Sequence, residues 1–436
     1  MNSLKVILYA PWTVLCLALF CSPSFPLIFI YFFISLIISY AFVNYSYEII
    51  SSKEENKSSI NSLIKYNKWN IILSFIVLLS FGYRADYPFY IDQWETILKG
   101  LDPWIGTNNA YGPIHNLLAL FYYLHPFLPK LIFFLSFYFA IFMNSFGHLP
   151  YEKDLNKKDK LKSFLLFGFC PFAVLGVVVF SYNDSLVASL ISLSIFYAIS
   201  KNDKKGSRVS GILMGFATML KFYPLIIASV FLIKKRRIDF VFGKFYLITL
   251  SLITTVSYYL WGSSVLNPIF FASSRHSKHF SFFNTIRNRL SINLDHLSVF
   301  LMIIAFLVVF FVIQKYKFDL IPSVIIIFAS VLSVYKVGHQ QFFVFFFSIT
   351  PLLIRYFFYN GLQFNSKLIH SYFLWLGYLN FYQIMYHLTC GLFDDLGLYL
   401  RHFGSIPYMI LNLYLCYQLY CIMNNNLYLI SNNESI

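Results

Sequence analysis

Hydrophobic positions in this chain neither alternate nor recur every third or fourth residue; they run on. Continuous apolar stretches occupy 6–22, 25–45, 69–83, 129–147, 163–181, 185–200, 209–233, 240–261, 296–314, 320–336, 341–358, 368–388 and 406–423. A helix crossing the hydrocarbon core needs about 20 mainly apolar residues, and a helix apolar all round is one surrounded by lipid or protein. A β-barrel would show segments of about ten residues with alternating polarity, a pattern absent here. The runs predict an all-α, polytopic transmembrane helical bundle of about 12–13 spans. The stretch 209–233 is long for one pass and contains Pro224, which removes a helix hydrogen bond, so a kinked or re-entrant pair is expected there. The first run could imitate a signal peptide, but another follows from Pro26 with no small-x-small cleavage site, so it is read as a retained span.

Composition agrees. The chain is 58% hydrophobic and 12% charged, whereas a soluble chain is about 45–50% apolar and about 25% charged. The net charge of +15 does not describe a nucleic-acid surface. Its basic residues sit in short loops: Lys153 to Lys162, Lys201 to Arg208, and Lys234-Lys235-Arg236-Arg237. Such loops face the cytoplasm. That assignment puts 84–128, 262–295, the turn at Gly338-His339-Gln340, and 389–405 together on the non-cytoplasmic side. Within 84–128, a short helix over Asp92 to Leu98 and the proline-bounded run Pro113 to Leu128 read as interfacial helices. The six cysteines fall mostly in apolar runs without CxxC spacing and read as core hydrophobes, not as a disulfide or metal framework. No soluble domain is expected. Residues 1–68 form an N-terminal hairpin and cytoplasmic loop, 69–358 the central unit, and 359–436 the last spans and a polar tail, all in one membrane body.

Candidate chemistry gathers in the outer loops. Asp86 follows the third run directly; near the membrane surface a shielded carboxylate has a raised pKa and could abstract a proton, or it could cap a helix or pair with Arg84. Asp92 reads equally as an N-cap. The loop 272–290 carries Arg275, His276, Lys278, His279, Arg287 and Arg289 among Phe280, Phe282 and Phe283. These suit a phosphate on an acyl or prenyl chain, or anionic headgroups. Lys221, at the Pro224 break, is either functional or snorkels. Asp184, in Asn183-Asp184-Ser185, is a cap or a cavity contact. His339, Gln340 and Gln341 form a polar cluster at another outer turn. Asp394, Asp395, Arg401 and His402 read as an ordinary surface loop.

Two blocks resemble a known family. Asp86-Tyr87-x-x-Tyr90-x-Asp92, Gly100, Pro103-Trp104 and Tyr111-Gly112-Pro113 resemble the first luminal loop of GT-C glycosyltransferases, closest to the glycosylphosphatidylinositol first-mannose mannosyltransferase. Asn183 to Leu190 and Gly215 to Pro224 are similar to two further blocks, and the stretches 275–281 and 335–343 echo later loops. Bacterial mannosyltransferases of the same superfamily share the single Asp, the Gly-x-x-Pro and the Lys-x-Tyr-Pro pattern. The family's Asp-x-Asp is Arg84-Ala85-Asp86 here, so only its second Asp is retained.

The resemblance implies an inverting membrane glycosyltransferase on the non-cytoplasmic face. It would move mannose from a polyprenyl- or dolichyl-phosphate donor to a lipid-linked acceptor. Asp86 maps to the catalytic base, with Asp92, Asp184, Lys221, Arg275, His276, Lys278, His279, His339 and Gln341 as donor or substrate contacts and Trp104 and Tyr111 as a sugar floor. No metal ligands are assigned and no cofactor is certain; a divalent cation is left open. Expected partners are the donor, the acceptor, the membrane and a small accessory membrane subunit. The membrane would be the endoplasmic reticulum in a eukaryote and the plasma membrane in a bacterium. The competing class is a multi-pass lipid or sugar-lipid flippase or transporter, which would show broken helices at matching positions of two halves.

Overall fold

The computed structural model describes residues 2–20, 25–51, 60–80, 86–105, 109–150, 155–201, 203–279, 281–359, 366–389 and 404–433. Helices dominate: α1 Asn2–Phe20, α2 Phe25–Ser51, α3 Ile60–Ser80, α4 Tyr87–Leu98, α5 Pro113–Leu117, α6 Ala119–Leu124, α7 Leu128–Phe146 and α8 Lys157–Phe169. After α9 Pro171–Ala173 and a π-helical turn over Val174–Val179 come α10 Asp184–Ser200, α11 Lys204–Leu220, α12 Pro224–Leu232 and α13 Phe240–Trp261. The chain continues through α14 Asn267–Ser274, α15 Phe282–Leu290, α16 Asp295–Lys315, α17 Leu320–Val334, α18 Val344–Tyr359, α19 Ser366–Thr389 and α20 Ser405–Asn433. The protein is an all-α polytopic membrane bundle.

Among the described residues, four helices are long and apolar enough to cross a membrane, five if α8 and the bent segment after it count as one. Five shorter apolar helices accompany them. Several of the apolar runs are realised as short or broken helices. The run 163–181 bends by 45° where Cys170–Pro171 interrupts it. The run 209–233 breaks at Lys221–Tyr223, with Lys221 extended (φ −150°, ψ 140°) and Pro224 opening α12. Pro113 to Leu128 becomes the two short helices α5 and α6.

Packing explains how these pieces close around a site. In α11, Gly211 and Gly215 stand one turn apart, and a Cβ at either would meet α13 within 2.6–2.7 Å, at the Phe242 carbonyl and the Thr249 side chain. Small residues at this spacing let two membrane helices approach backbone to backbone. On its other side α11 is tied to α10 by a hydrogen bond between the Ser194 and Ser210 hydroxyls (2.8 Å). Asn144 of α7 donates to the Ser348 carbonyl of α18 (2.7 Å), and Asn380 of α19 accepts from Phe172 N (2.9 Å). Each is a buried amide that ties one helix to another.

The basic stretches 203–208 and 234–237 meet at Asp239. β1 Ile233–Lys234 and β2 Arg237–Ile238 form a two-residue hairpin. Lys234 pairs with Asp239, Lys235 with Asp319 (2.7 Å), and Ser207 donates to Asp239 (2.7 Å). Arg236 donates to the last carbonyls of α16, at Gln314 and Lys315, where a cation complements the helix dipole.

Candidate active site

The site lies where α10 begins and α11 ends. Asp184 opens α10, and Lys221 follows the last residue of α11; the Lys221 ammonium donates to Asp184 Oδ2. Asp184 is fully buried. The same ammonium donates to Gln341 Oε1 (3.2 Å), and Gln341 Nε2 donates to Asp86 Oδ2 (2.7 Å). Lysine has only donors, so the Gln341 oxygen must face Lys221. Its amide N–H2 is therefore turned to Asp86, which must accept. The result is a chain Asp184–Lys221–Gln341–Asp86 that holds the Asp86 carboxylate as an acceptor. Two rings flank the cation, Tyr111 at 5.1 Å and Phe342 at 5.3 Å, adding cation–π attraction.

This geometry decides the readings that the residue types leave open. Asp86 occupies the N-cap position of α4 but has helical φ/ψ and makes no side-chain cap bond; its carboxylate is spent on Gln341 instead. Arg84 lies outside the described residues. Asp92 is no N-cap, since α4 starts five residues earlier, at Tyr87. Asp184 makes an ion pair rather than a cap.

Gly112 seats the first loop against this assembly. Its N–H donates to the Leu220 carbonyl (2.9 Å), and a Cβ there would stand 2.2 Å from the Met219 carbonyl oxygen. Only glycine permits that approach, which sets Tyr111 over Lys221. Gly112→Ala is expected to lower transfer activity at least about tenfold and to destabilise the fold by roughly 1–3 kcal/mol, as overpacking does, read as activity and thermal midpoint of the purified protein. Full activity in this variant would show that the loop's seat is unimportant.

Behind Tyr111 lies a buried polar layer that sequence reading missed. The His115 ring stacks on Tyr111 (centroids 4.4 Å apart), accepts from Asn183 Nδ2 at Nδ1 (3.3 Å) and faces Gln93 Oε1 with Nε2 (3.1 Å). Burial, then the Lys221 charge, lowers its pKa to about 3, so the ring is neutral at working pH. With Nδ1 accepting, the proton is on Nε2. A His-Asn pair inside an apolar run of a charge-poor chain was the available signal.

The basic loop is organised by a second unforeseen residue, Asp295, the first of α16. Its carboxylate accepts from His276 Nδ1 (3.1 Å) and Ser277 N (3.1 Å) and lies 3.5 Å from Arg287 Nη1. β3 Lys278–His279 pairs in parallel with β4 Val337–Gly338, which brings Arg275 Nη2 to His339 Nε2 (2.9 Å). The side chains of Lys278 and His279 lie outside the described residues, as do Asp394, Asp395, Arg401 and His402.

A cavity of about 940 Å³ joins the two halves. Of the expected site residues, Asp86, Asp92, Tyr111, Lys221, Arg275, His276, His339 and Gln341 line it, with Phe222, Ile226, Met302, Phe328, Val331 and Leu332 as an apolar extension. Asp184 stands behind Lys221. Trp104 is outside the lining; buried, it donates to the Tyr111 carbonyl (3.1 Å) and meets Trp261 edge-on, so it shapes the loop instead of forming a floor. Among the described residues, no three His, Cys, Asp or Glu side chains converge as a metal site.

Residues 109–334, about half of the chain, match the model of glycosyltransferase family 87. The chain belongs to that family. It is a membrane glycosyltransferase of the GT-C type. Comparison with curated proteins finds no match. The family match includes α10 to α17 and the basic loop, while Asp86 lies before it and Gln341 after it. Both outlying parts of this glycosyltransferase return to the matched core through the Lys221–Gln341–Asp86 chain.

Proposed function

We propose that this glycosyltransferase moves a mannosyl group from a polyprenyl- or dolichyl-phosphate donor to a lipid-linked acceptor by one inverting displacement, with Asp86 as the base. The observation that carries this reading is one cavity holding a hydrogen-bonded carboxylate, Asp86, together with the Arg275 guanidinium and the His276 and His339 rings beside an apolar extension. The acceptor hydroxyl oxygen attacks the anomeric carbon and its proton passes to Asp86. The bond from that carbon to the phosphate oxygen breaks, and its electron pair leaves with the lipid phosphate. The Arg275 guanidinium stabilises the departing charge, the electrostatic contribution that is usually the largest in such sites. Residues 69–358 are the proposed catalytic unit.

The non-cytoplasmic face is proposed for the site because Asp86, Asp184 and Lys221 lie at the helix ends away from the basic hairpin 233–238, and Lys/Arg-rich loops stay in the cytoplasm. The resemblance to the glycosylphosphatidylinositol mannosyltransferase and its bacterial counterparts supports mannose. A small accessory membrane subunit and the identity of the membrane belong to the same proposal.

The test offers the detergent-purified protein polyprenyl-phosphate mannose, glucose or arabinose with a membrane lipid extract as acceptor. Lipid phosphate should be released from the mannose donor without any sealed compartment. Turnover confined to a nucleotide sugar would overturn the donor assignment, and movement of intact sugar lipid across vesicles without transfer would favour the flippase. In the same assay Arg275→Ala is expected to raise the donor KM about tenfold or more, the cost of losing a charge-assisted contact; an unchanged donor KM would remove Arg275 from the phosphate site.

A further inference from the structure

The face of α4 that lines the cavity has its own chemistry. Asp86, Phe89, Asp92, Gln93 and Thr96 line it, spaced as one side of a helix, while Tyr87, Tyr90 and Trp94 on the other side are buried. Over ten residues this strip runs about 15 Å at 1.5 Å per residue, longer than one hexose ring.

Gln93 is the telling residue. It is 5% exposed, and the neutral His115 occupies its Oε1. Its Nε2 makes no hydrogen bond among the described residues, and Gln93 lines the cavity, so that amide is an unspent donor at the cavity wall. Next to it in the chain and also lining the cavity, the Asp92 carboxylate makes no hydrogen bond or ion pair among the described residues and is free to accept. Phe89 presents a ring that is 60% exposed. A fixed amide donor, an unspent carboxylate and an open aromatic face suit a polyhydroxylated, uncharged ligand. No Lys or Arg occurs in α4, so a phosphate has no partner there; the cations of the cavity come from other elements.

We infer that this face of α4 is the acceptor subsite and that it takes a glycan of at least two sugar rings, free or as the headgroup of a glycolipid. This rests on the proposed reaction, because the strip begins at Asp86, where the attacking hydroxyl must lie. Gln93 N–H2 donates to one sugar hydroxyl, Asp92 accepts from another, and Phe89 packs on a ring face. His115 is the positioning residue that orients the Gln93 amide.

The experiment measures binding of octyl mono-, di- and trisaccharide mannosides and of the free trisaccharide to the detergent-purified protein by tryptophan fluorescence, Trp94 lying beneath the strip. Transfer kinetics follow with donor and acceptor varied separately. The di- and trisaccharides should bind tighter than the monosaccharide; comparing the free and the octyl trisaccharide separates an oligosaccharide from a glycolipid acceptor. Gln93→Met, which keeps the shape and removes the donor, and Asp92→Ala should each raise the acceptor KM about tenfold, a hydrogen bond's worth, with the donor KM moving less than twofold. An acceptor KM unchanged in both variants, or a rise confined to the donor, overturns the inference. If glycoside binding is weakened in Gln93→Met while no lipid-phosphate sugar is consumed, the subsite stands and the donor reading falls.

Discussion

Asp86→Asn is expected to lower transfer at least about a hundredfold and to leave the protein folded. A positioned general base contributes about 10²–10⁴-fold, and the amide that replaces it cannot take the acceptor proton. The fold is spared because an asparagine oxygen can still accept from Gln341 Nε2, the bond that the carboxylate makes now (2.7 Å). Asp86 is half-buried, and the neighbouring chain carries no other ion pair to it among the described residues. The measurement is initial rate with saturating donor and acceptor, alongside the thermal midpoint in the same detergent. A variant within threefold of the parent rate would exclude Asp86 as the base. Gln341→Met supplies the companion result: it keeps the carboxylate but removes its donor, so a smaller loss, about tenfold, is expected in the same assay.

Much of this site was legible one residue at a time and illegible as an assembly. The hydrophobic runs gave the membrane class because burial of so much Phe, Leu and Ile has no aqueous solution. Asp184 and Lys221 each stood out because charge is expensive in such a chain. Nothing local says that they pair, since the contact depends on how Gly211 and Gly215 let α11 pack and where Pro224 ends it. The Asp86–Gln341 bond crosses 255 positions of sequence, beyond any local pattern. Trp104 and Tyr111 look alike as aromatic outer-loop residues, yet Gly112 turns Tyr111 onto Lys221 while Trp104 packs against Trp261. His115 hid inside an apolar run, and Asp295 ends an outer loop that stands out for its basic residues alone. In both cases the role comes from the far partner: Gln93 and Asn183 for the histidine, the His276 ring, the Ser277 N–H and Arg287 for the aspartate.

Lys221→Met should be the most destabilising single change in the site. It removes the cation from a carboxylate, Asp184, that is fully buried and whose Oδ1 already has no hydrogen-bond partner. Breaking a buried pair from one side costs about 3–5 kcal/mol because it strands the other charge, well above the 0.5–3 kcal/mol of most substitutions. Asp184→Asn strands the ammonium instead, but Lys221 reaches the cavity and retains Gln341, so a smaller loss is expected. The double variant Asp184→Asn/Lys221→Met removes both charges and should recover most of the stability, since buried pairs replaced as a unit are often neutral. Activity should not recover with it, because Gln341 loses the donor that orients its amide towards Asp86. Thermal unfolding in detergent and transfer rate, measured on all three variants, separate the two roles. Additive destabilisation in the double variant would mean that Asp184 and Lys221 are not coupled; recovery of both stability and rate would mean that the pair holds the helices together and does nothing for Asp86.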